Sequence, residues 1–516
     1  QAALCSYPTF SNRITGMPRS PLLATVDLGS NSFRLQICAV EEGQLRIVDS
    51  IKEMVRFAAG LDENKNISVE AQQRALKCLS RFGQRLIGFK PEQVRVVATN
   101  TFRVAKNIAN FLPEAEEALG FPVEIIAGRE EARLIYLGVK HTQPPTNDNM
   151  LVVDIGGGST EFVIGNALQP DIMESLPLGC VTYSMRFFND GKITSERFER
   201  AVSSARIEIQ RISPELKQHG WDFAIGSSGS ARSIRDAIEA YGLSKHHLDA
   251  AAMRVLAKKV IQAGSVKKAK LLSLKSDRTE VFIGGLAVMI AVFEELNLES
   301  MSVTDAALRD GVFFDMLGRD LDHDLRDETV KQFQHRYHID LTQANRVHQV
   351  AQQCFAGLSQ NLPRHHLETW QKYLGWSAQL HELGMSIAHS GYHKHSAYIL
   401  DNADMFGFSR QEQHLLAVLV LTHRGDTKKL LEVVTDNQWW PAVLSLRLAA
   451  LFCRGRQDIQ FPSDTSLFYD FAEKTCTLHL SAKWLQDNPL IAGSLEQEAQ
   501  QWQYINRKLV IEQQAS

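Results

Sequence analysis

A chain of 516 residues, 44% of them hydrophobic and 22% charged, is long enough to enclose several cores. Its formal net charge of −3 excludes a global pull toward nucleic acid or an anionic membrane, so any polyanion site must be local. No apolar run reaches spanning length and no secretory h-region is present, which leads us to expect a soluble, cytoplasmic protein without an integral membrane segment. The seven cysteines (Cys5, Cys38, Cys78, Cys180, Cys354, Cys453, Cys476) form no CxxC pair. They read as buried thiols in a reducing compartment, neither a disulfide frame nor a zinc site.

In chain order, residues 1–20 read as an N-terminal extension. QAALCSYPTFSNRITG lacks periodicity, and Met17 is the expected native start, the residues before it being either appended or an ordinary disordered terminus. LLATVDLGSNSFRLQI (22–37) is then an apolar strand, Asp27, the loop Gly29, Ser30, Asn31, Ser32, and a second strand with Phe33, Leu35 and Ile37 alternating against polar neighbours. Strand-like GQLRIVDSIKEMVRF precedes a helical period in SVEAQQRALKCLSRFGQRLIGF. VRVVAT is a short buried strand, NTFRVAKNIANFLPEAEEALG a helix expected to break at Pro113, and PVEIIAG a strand running into the helix REEARLIYLGVKH. Strands alternating with helices predict an α/β unit with a mixed sheet.

LVVDIGGGSTEFVIG (151–165) repeats the first hairpin: apolar strand, Asp154, Gly156, Gly157, Gly158, Ser159, Thr160, Glu161, apolar strand. Glycines let backbone N–H groups close on an anion, hydroxyls add donors, and an acid at the strand end can hold a divalent cation. Taken alone, the string also reads as a plain tight β-hairpin. The repetition favours two related halves, each presenting an acidic phosphate-binding hairpin to one cleft. WDFAIGSSGSARSIRDAIEAYG (221–242) is a strand, a small-residue turn and a helix, and is expected to form a third phosphate-facing loop at a helix N-terminus. SMSVTDAALRDGVFFDML places Asp305 at another strand-to-helix turn.

Arg103 reads either as a surface cation or as a phosphate ligand. Glu130 and Glu131 either complement a helix dipole or, for one of them, orient a water at the cleft rim. Lys258, Lys259, Lys267, Lys268 and Lys270 lie in a stretch almost free of acids, which is either a solvated helical face or a rail for a long polyanion. Beyond residue 319 the rhythm becomes helical, with a His-rich run at His381, Glu382 and His389. A metal site there is the weaker reading, since Glu382 stands where a helical His-Asp phosphohydrolase has Asp. TSLFYDFAEKTCTLHLSAKWL and RKLVIEQ read as strands of a small terminal unit.

If both hairpins and the Glu131 corner face one cleft, the carboxylates of Asp27, Glu131, Asp154 and Glu161 gather there and repel unless cations intervene. Mg²⁺ suits such a site because it shares oxygen ligands with substrate phosphates. Positioning and charge balance then suffice to hydrolyse a phosphoanhydride.

These motifs (VDLGSNSF, TNTFRVA, IIAGREEARLIYLGV, VVDIGGGSTEFVIG, AIGSSGSAR, VFIGGLAV, ALRDGV, LHELGMSI, HSAYIL) resemble the exopolyphosphatase and guanosine pentaphosphate phosphohydrolase family of the actin-like (ribonuclease H-like) ATPase superfamily. The resemblance spans nearly the whole chain from Leu22. It implies two actin-like α/β domains (21–138 and 139–318), an all-α His-Asp-phosphohydrolase-like domain (319–455) and a small α+β domain (456–516). Carried over by motif, Glu131 is the implied general base and Arg103 the phosphate-binding arginine. Gly29, Ser30, Asn31 and Ser32, with Gly156, Gly157, Gly158, Ser159 and Thr160, are the implied phosphate loops. Asp154, Glu161 and, with less similarity, Asp27 are the implied acids for Mg²⁺ or water. A homodimer is also implied. Two positions depart from the pattern: Arg34 stands where His is frequent, and Ala306 where Gly is usual. The first adds a cation near the phosphate loop, and the second adds a methyl group where backbone approaches a ligand.

The Lys-rich stretch and the form of HSGYHKHSAYIL favour inorganic polyphosphate as substrate, with removal of its terminal phosphate. Guanosine pentaphosphate is the alternative. An actin-like kinase would instead require tight ATP binding at the GSSGS and ALRDG loops. A non-catalytic sensor of guanosine tetra- or pentaphosphate would be expected to have lost the base, which is present.

Overall fold

The computed structural model describes residues 22–41, 44–144, 146–245, 247–320 and 324–514. The expected N-terminal extension with Met17 and Cys5 lies outside them. The first sheet contains β1 (Leu22–Leu28), β2 (Phe33–Glu41), β3 (Gln44–Glu53), β4 (Val94–Ala98) and β5 (Glu124–Ile125), in the order β3-β2-β1-β4-β5. The second contains β6 (Met150–Ile155), β7 (Thr160–Gly165), β8 (Ile172–Leu176), β9 (Phe223–Ser227), β10 (His247–Asp249) and β11 (Ser300–Val303), in the order β10-β11-β9-β6-β7-β8. In each, three antiparallel strands are followed by two strands added in parallel on the far side of the first, and in the second sheet β10 closes that edge antiparallel to β11. Both are mixed sheets, as the strand and helix rhythm predicts, and the fold is the mixed α/β architecture of the actin-like proteins.

Register makes the duplication concrete. Asp27 sits opposite Arg34 across the first hairpin, and Asp154 sits opposite Glu161 across the second. β6 and β7 are buried along their whole length, which explains why their sequence is a near-continuous apolar run and not an alternation. The amphipathic helix Val69–Arg85 is started by the Ser68 hydroxyl accepting from Ala71 N–H, and it buries Ala71, Ala75, Cys78, Leu79 and Phe82 against the first sheet. Helix Phe282–Leu296, apolar on all sides up to Glu294 and Glu295 in its last turn, is the central rod of the second core.

The expected break at Pro113 is displaced. Helix Asn100–Val104 ends at Ala105, and Pro113 lies inside the following helix Ile108–Leu119. Its ring fixes φ at a helical value and removes one hydrogen bond near the helix start, which the packing of Phe111, Ala115 and Leu119 offsets.

Two helices occupy the space between the sheets. Helix Gly128–Thr142 and helix Leu308–Asp320 share a core with Leu23 and Val97 of the first sheet and with Met150, Val152 and Ile225 of the second. The two helices touch backbone to backbone: a Cβ on Gly311 would lie 1.7 Å from the Leu134 carbonyl oxygen, and one on Gly138 would lie 2.7 Å from Gly311 N.

Residues 325–452 form helices, the longest being Leu341–Leu358 and Arg364–Leu380. β12 (Ser466–Asp470), β13 (Thr475–Ser481) and β14 (Lys508–Gln514) follow as a three-stranded sheet in the order β12-β13-β14. These strands share one core with the helices: Tyr469, Leu478, Leu480 and Leu509 pack in the same cluster as Phe355, Trp440 and Phe452. Among the described residues no helix is long and apolar enough to cross a membrane, and six cysteines are free and buried.

Replacing Gly311 by Ala is expected to destabilise the protein by about 1–3 kcal/mol, because backbone faces its Cβ position. Gly493→Ala, within helix Pro489–Gln503 with nothing within 4 Å of the added methyl, is expected to be neutral or slightly stabilising. Thermal denaturation of the two variants checks the contrast.

Candidate active site between the two hairpins

The two hairpin loops, Gly29–Ser32 and Gly156–Ser159, meet across a cavity of about 160 Å³. Both have their carbonyls turned away and engaged. Ser30 and Asn31 oxygens accept from Ala58 and Arg56 N–H (2.8 and 2.7 Å), and Gly156 and Gly157 oxygens accept from Cys180 and Val181 N–H (2.9 and 3.0 Å). Gly156 N–H is used within its own loop, donating to the Ser159 carbonyl at 2.9 Å, and the remaining loop N–H groups are the candidate backbone donors to an anion in the cavity. The approach demands glycine: a Cβ on Gly157 would sit 2.8 Å from Ser30 Cβ, and one on Gly158 would sit 2.3 Å from Asn100 Oδ1. Ser228 and Gly229, at the start of helix Ser228–Ala240, form the third wall. Ser228 has φ +93°, a conformation that a non-glycine residue holds only where its surroundings enforce it.

Asp27, Glu131 and Asp154 line this cavity together. Burial, then the charge of Glu131, pushes Asp27 up to about 7. Burial likewise raises Asp154 to about 6, with Glu131 adding to it against the Ser227 hydroxyl hydrogen bond. Glu161 lies behind Asp154, fully buried. Its Oε1 accepts from Ser175 Oγ at 2.8 Å and its Oε2 has no partner among the described residues. Burial, Glu131 and Asp154 hold its carboxyl well above the usual range. Arg103 reaches the site only through Glu131: its guanidinium donates to Glu131 Oε2 at 2.8 Å and to the Ile126 carbonyl at 2.9 Å.

Opposite the acids stands a set of cations that sequence reasoning largely missed: Arg34, Lys52, Arg232, Arg278 and Arg309. Burial and mutual repulsion pull Arg34 and Arg232 below their ordinary range, and burial with Arg278 does the same for Lys52. Arg34 Nε, one Arg232 nitrogen and both polar atoms of the Asn31 amide are buried without a hydrogen-bond partner in the described protein. Orphaned donors beside orphaned acceptors suit a ligand that is itself anionic and brings cations with it. Among the described residues no three His, Cys, Asp or Glu side chains gather as a metal cage. Asp27 and Asp154 instead suit the Mg²⁺ mode of one or two carboxylates completed by water and phosphate oxygens.

Arg232 and Arg309 were within reach of sequence reasoning, in the AIGSSGSAR and ALRDG segments, both in the opening residues of helices that start at the cleft. Lys52 is the cross-strand neighbour of Arg34, a relation that exists only once register is known. Arg278 carried no local signal.

Most loop residues expected at the site line it: Gly29, Ser30, Asn31, Ser32, Gly156, Gly157, Gly158 and Ser159. Thr160 does not. It is the first residue of β7, and its hydroxyl donates to the Leu178 carbonyl, so it closes the sheet and is no phosphate donor. Lys258, Lys259, Lys267, Lys268 and Lys270 are exposed and lie outside the cleft. They sit on the outer face of helix Ala250–Ala263 and the turn after it, where Lys259 stacks 4.6 Å above the Tyr241 ring. Ala306 is buried, and its carbonyl accepts from Ser227 Oγ at 2.8 Å; the next three residues, not Ala306, reach the cavity.

Residues 36–320 match the Ppx/GppA phosphatase family, and residues 325–499 match Ppx/GppA phosphatase, domain III. A guanosine-5'-triphosphate,3'-diphosphate pyrophosphatase of Pseudoalteromonas translucida (strain TAC 125) is 37% identical over 507 residues, covering 96% of this chain and 99% of its own. Among solved structures, an exopolyphosphatase from Cytophaga hutchinsonii superposes with a TM-score of 0.53 at 22% identity, covering 58% of this chain and 98% of its own. An exopolyphosphatase-like protein gives 0.51 at 26% identity, covering 58% of this chain and all of its own.

The His-rich helices enclose a separate cavity of about 460 Å³ that includes His381, Glu382, His423 and Arg456. His381 and His423 each direct Nδ1 to a backbone carbonyl, of Ala378 and Val420, at 2.7 and 2.5 Å. Glu382 is ion-paired to Arg456 at 2.7 Å. Burial lowers all three histidines of the cluster: His381 below its ordinary value, His423 well below it, and His393 to about 4 with Lys429, Arg424 and Lys394 adding repulsion. They fold neutral and charge when unfolded. Their contribution is complete above pH 6.5, the unfolded value, and is lost as pH falls toward the folded values. Thermal stability is expected to drop between pH 6.5 and 4.5, by up to about 1.4 kcal/mol per pH unit per histidine. His393→Gln should flatten that slope, which a melting series across pH measures.

Proposed function

The chain belongs to the Ppx/GppA phosphatase family of phosphoanhydride hydrolases, and from that premise we propose that it removes the 5′-terminal phosphate of guanosine pentaphosphate as inorganic phosphate. The observation that carries this reading is the likeness, along 96% of the chain and at 37% identity, to a relative named for hydrolysis of that nucleotide. It displaces the preference for polyphosphate that rested on the Lys-rich stretch, whose lysines lie outside the cleft.

In this reading the loop N–H groups with Ser30, Ser32 and Ser159 grip the terminal phosphoryl group, and Arg34, Arg232 and Arg309 offset its charge. Glu131, held by Arg103, orients a water in line with the anhydride bond and takes its proton as the new P–O bond forms. The bond from the terminal phosphorus to the bridging oxygen breaks, leaving guanosine tetraphosphate and phosphate. Mg²⁺, when bound through Asp27 and Asp154 with Glu161 behind them, would neutralise phosphate oxygens. Family membership also supports a homodimer and a helical region of His-Asp-phosphohydrolase type as parts of the same reading.

The polyphosphate reading keeps one observation, the 26%-identical exopolyphosphatase-like structure. Phosphate release from guanosine pentaphosphate and from long-chain polyphosphate, measured in parallel with Mg²⁺, decides between them. The nucleotide is expected to have the higher kcat/KM. Glu131→Gln is expected to lose about 10²–10⁴-fold in kcat on either substrate. Faster turnover of the polymer would overturn the substrate assignment, and an active Glu131→Gln would overturn the base.

A further inference from the structure

The residue beside the proposed base has no contact with the cleft, yet it is the more buried of the two. Glu130 is 1% exposed. Its carboxylate accepts from Arg133 Nε and Nη2 at 2.9 and 2.8 Å, and from Gly407 N–H of the helical region at 3.1 Å. Arg133 also donates to Asp315 Oδ1 at 2.6 Å, Arg95 donates to Asp315 Oδ2 at 2.6 Å, and Arg95 Nε donates to Glu124 at 3.1 Å. The result is a row of alternating charges, Glu130, Arg133, Asp315, Arg95 and Glu124, nearly all of it closed off from water.

This row joins two helices that each carry cleft residues. Glu130 and Arg133 share helix Gly128–Thr142 with Glu131, and Asp315 shares helix Leu308–Asp320 with Arg309. The same helices touch backbone to backbone at Gly138 and Gly311, a close fit that sets their distance, while directed bonds between named partners set where one helix lies along the other. Burying ion pairs is also no cheap way to hold helices together, since apolar residues of similar volume often stabilise as well or better. A row of buried charges between these helices therefore has its best use in fixing one relative position.

We propose that Glu130 is a positioning residue. With Arg133 and Asp315 it sets the register of the Glu131 helix against the Arg309 helix, and the helical region completes the arrangement through Gly407 N–H. The inference rests on the reading of Glu131 as base. The surroundings of that contact are built to hold it: Arg129 bridges Glu174 and Asp404 at 2.5 and 3.2 Å, and Gln411 Nε2 donates to the Val123 carbonyl at 2.7 Å.

The test is steady-state hydrolysis of guanosine pentaphosphate by the full chain carrying Glu130→Gln, with the folded fraction measured by circular dichroism. Loss of register is expected to lower kcat about 10- to 100-fold per folded molecule, with KM within about twofold and the pH profile unmoved. A role in stability alone predicts a lower melting temperature with kcat per folded molecule unchanged, and that result overturns the proposal. Should Glu130→Gln not fold, Asp315→Asn applies the same test from the other helix. Glu131→Gln, run alongside, separates the two claims: if it is inactive while Glu130→Gln keeps full kcat, only the positioning role falls. If Glu131→Gln is active, the base assignment falls first.

Discussion

Carboxylates and guanidiniums that have lost their water face each other where the two hairpin loops meet, and much of the structure is arranged to tolerate that encounter. Burial, with the charge of Glu131, raises the proton affinity of Asp27, Asp154 and Glu161, while burial, with the charge of Arg309, lowers that of Arg34 and Arg232. Neither group is at rest in the free protein. An anion accompanied by a cation satisfies both at once, so the site holds in advance the electrostatic work that phosphoryl transfer draws on.

Holding such groups together requires backbone to stand where side chains cannot. The loops interlock because Gly157, Gly158 and Gly179 present no Cβ to Ser30, Asn100 and Gly157. Their carbonyls are anchored behind by the segment Arg56–Ala58 and by the start of helix Cys180–Phe188. The same economy of volume recurs one layer deeper, at Gly138 and Gly311, where the two helices between the sheets come into backbone contact. The cleft is thus built from two duplicated halves and closed by a helix pair that belongs to both.

The duplication is imperfect in a useful way. Position for position, Arg34 in the first hairpin stands where Glu161 stands in the second. One half therefore contributes a cation beside its aspartate, and the other a second acid. That asymmetry sets a cation beside Asp27 and a buried second acid behind Asp154, an uneven charge distribution that two identical halves could not give. The helical region adds no side chain to this cavity among the described residues. It reaches the site through the Glu131 helix, at Arg129 and Glu130.

Much of this was legible in the linear chain, for local reasons. The hairpins announce themselves through apolar runs ending in an acid and glycines, the helices through spacing and caps, and the Glu130/Glu131 pair through its place at a strand-to-helix corner. Each of these signals lies within a few residues of the chemistry it marks. Thr160, the substrate preference drawn from the lysines of 258–270, and Pro113 were misjudged because residue type alone was informative there while direction was not: a hydroxyl one residue into a strand points to the sheet, a lysine on a helix follows its face, and proline is tolerated where packing offsets one hydrogen bond. What the sequence determined by itself was the mixed α/β architecture, the repeated hairpin and the acidic character of the site. Only the tertiary structure decided which cations answer those acids, because Arg34, Lys52, Arg232, Arg278 and Arg309 come from five separate elements and converge only when both sheets, with the helix pair between them, are in place.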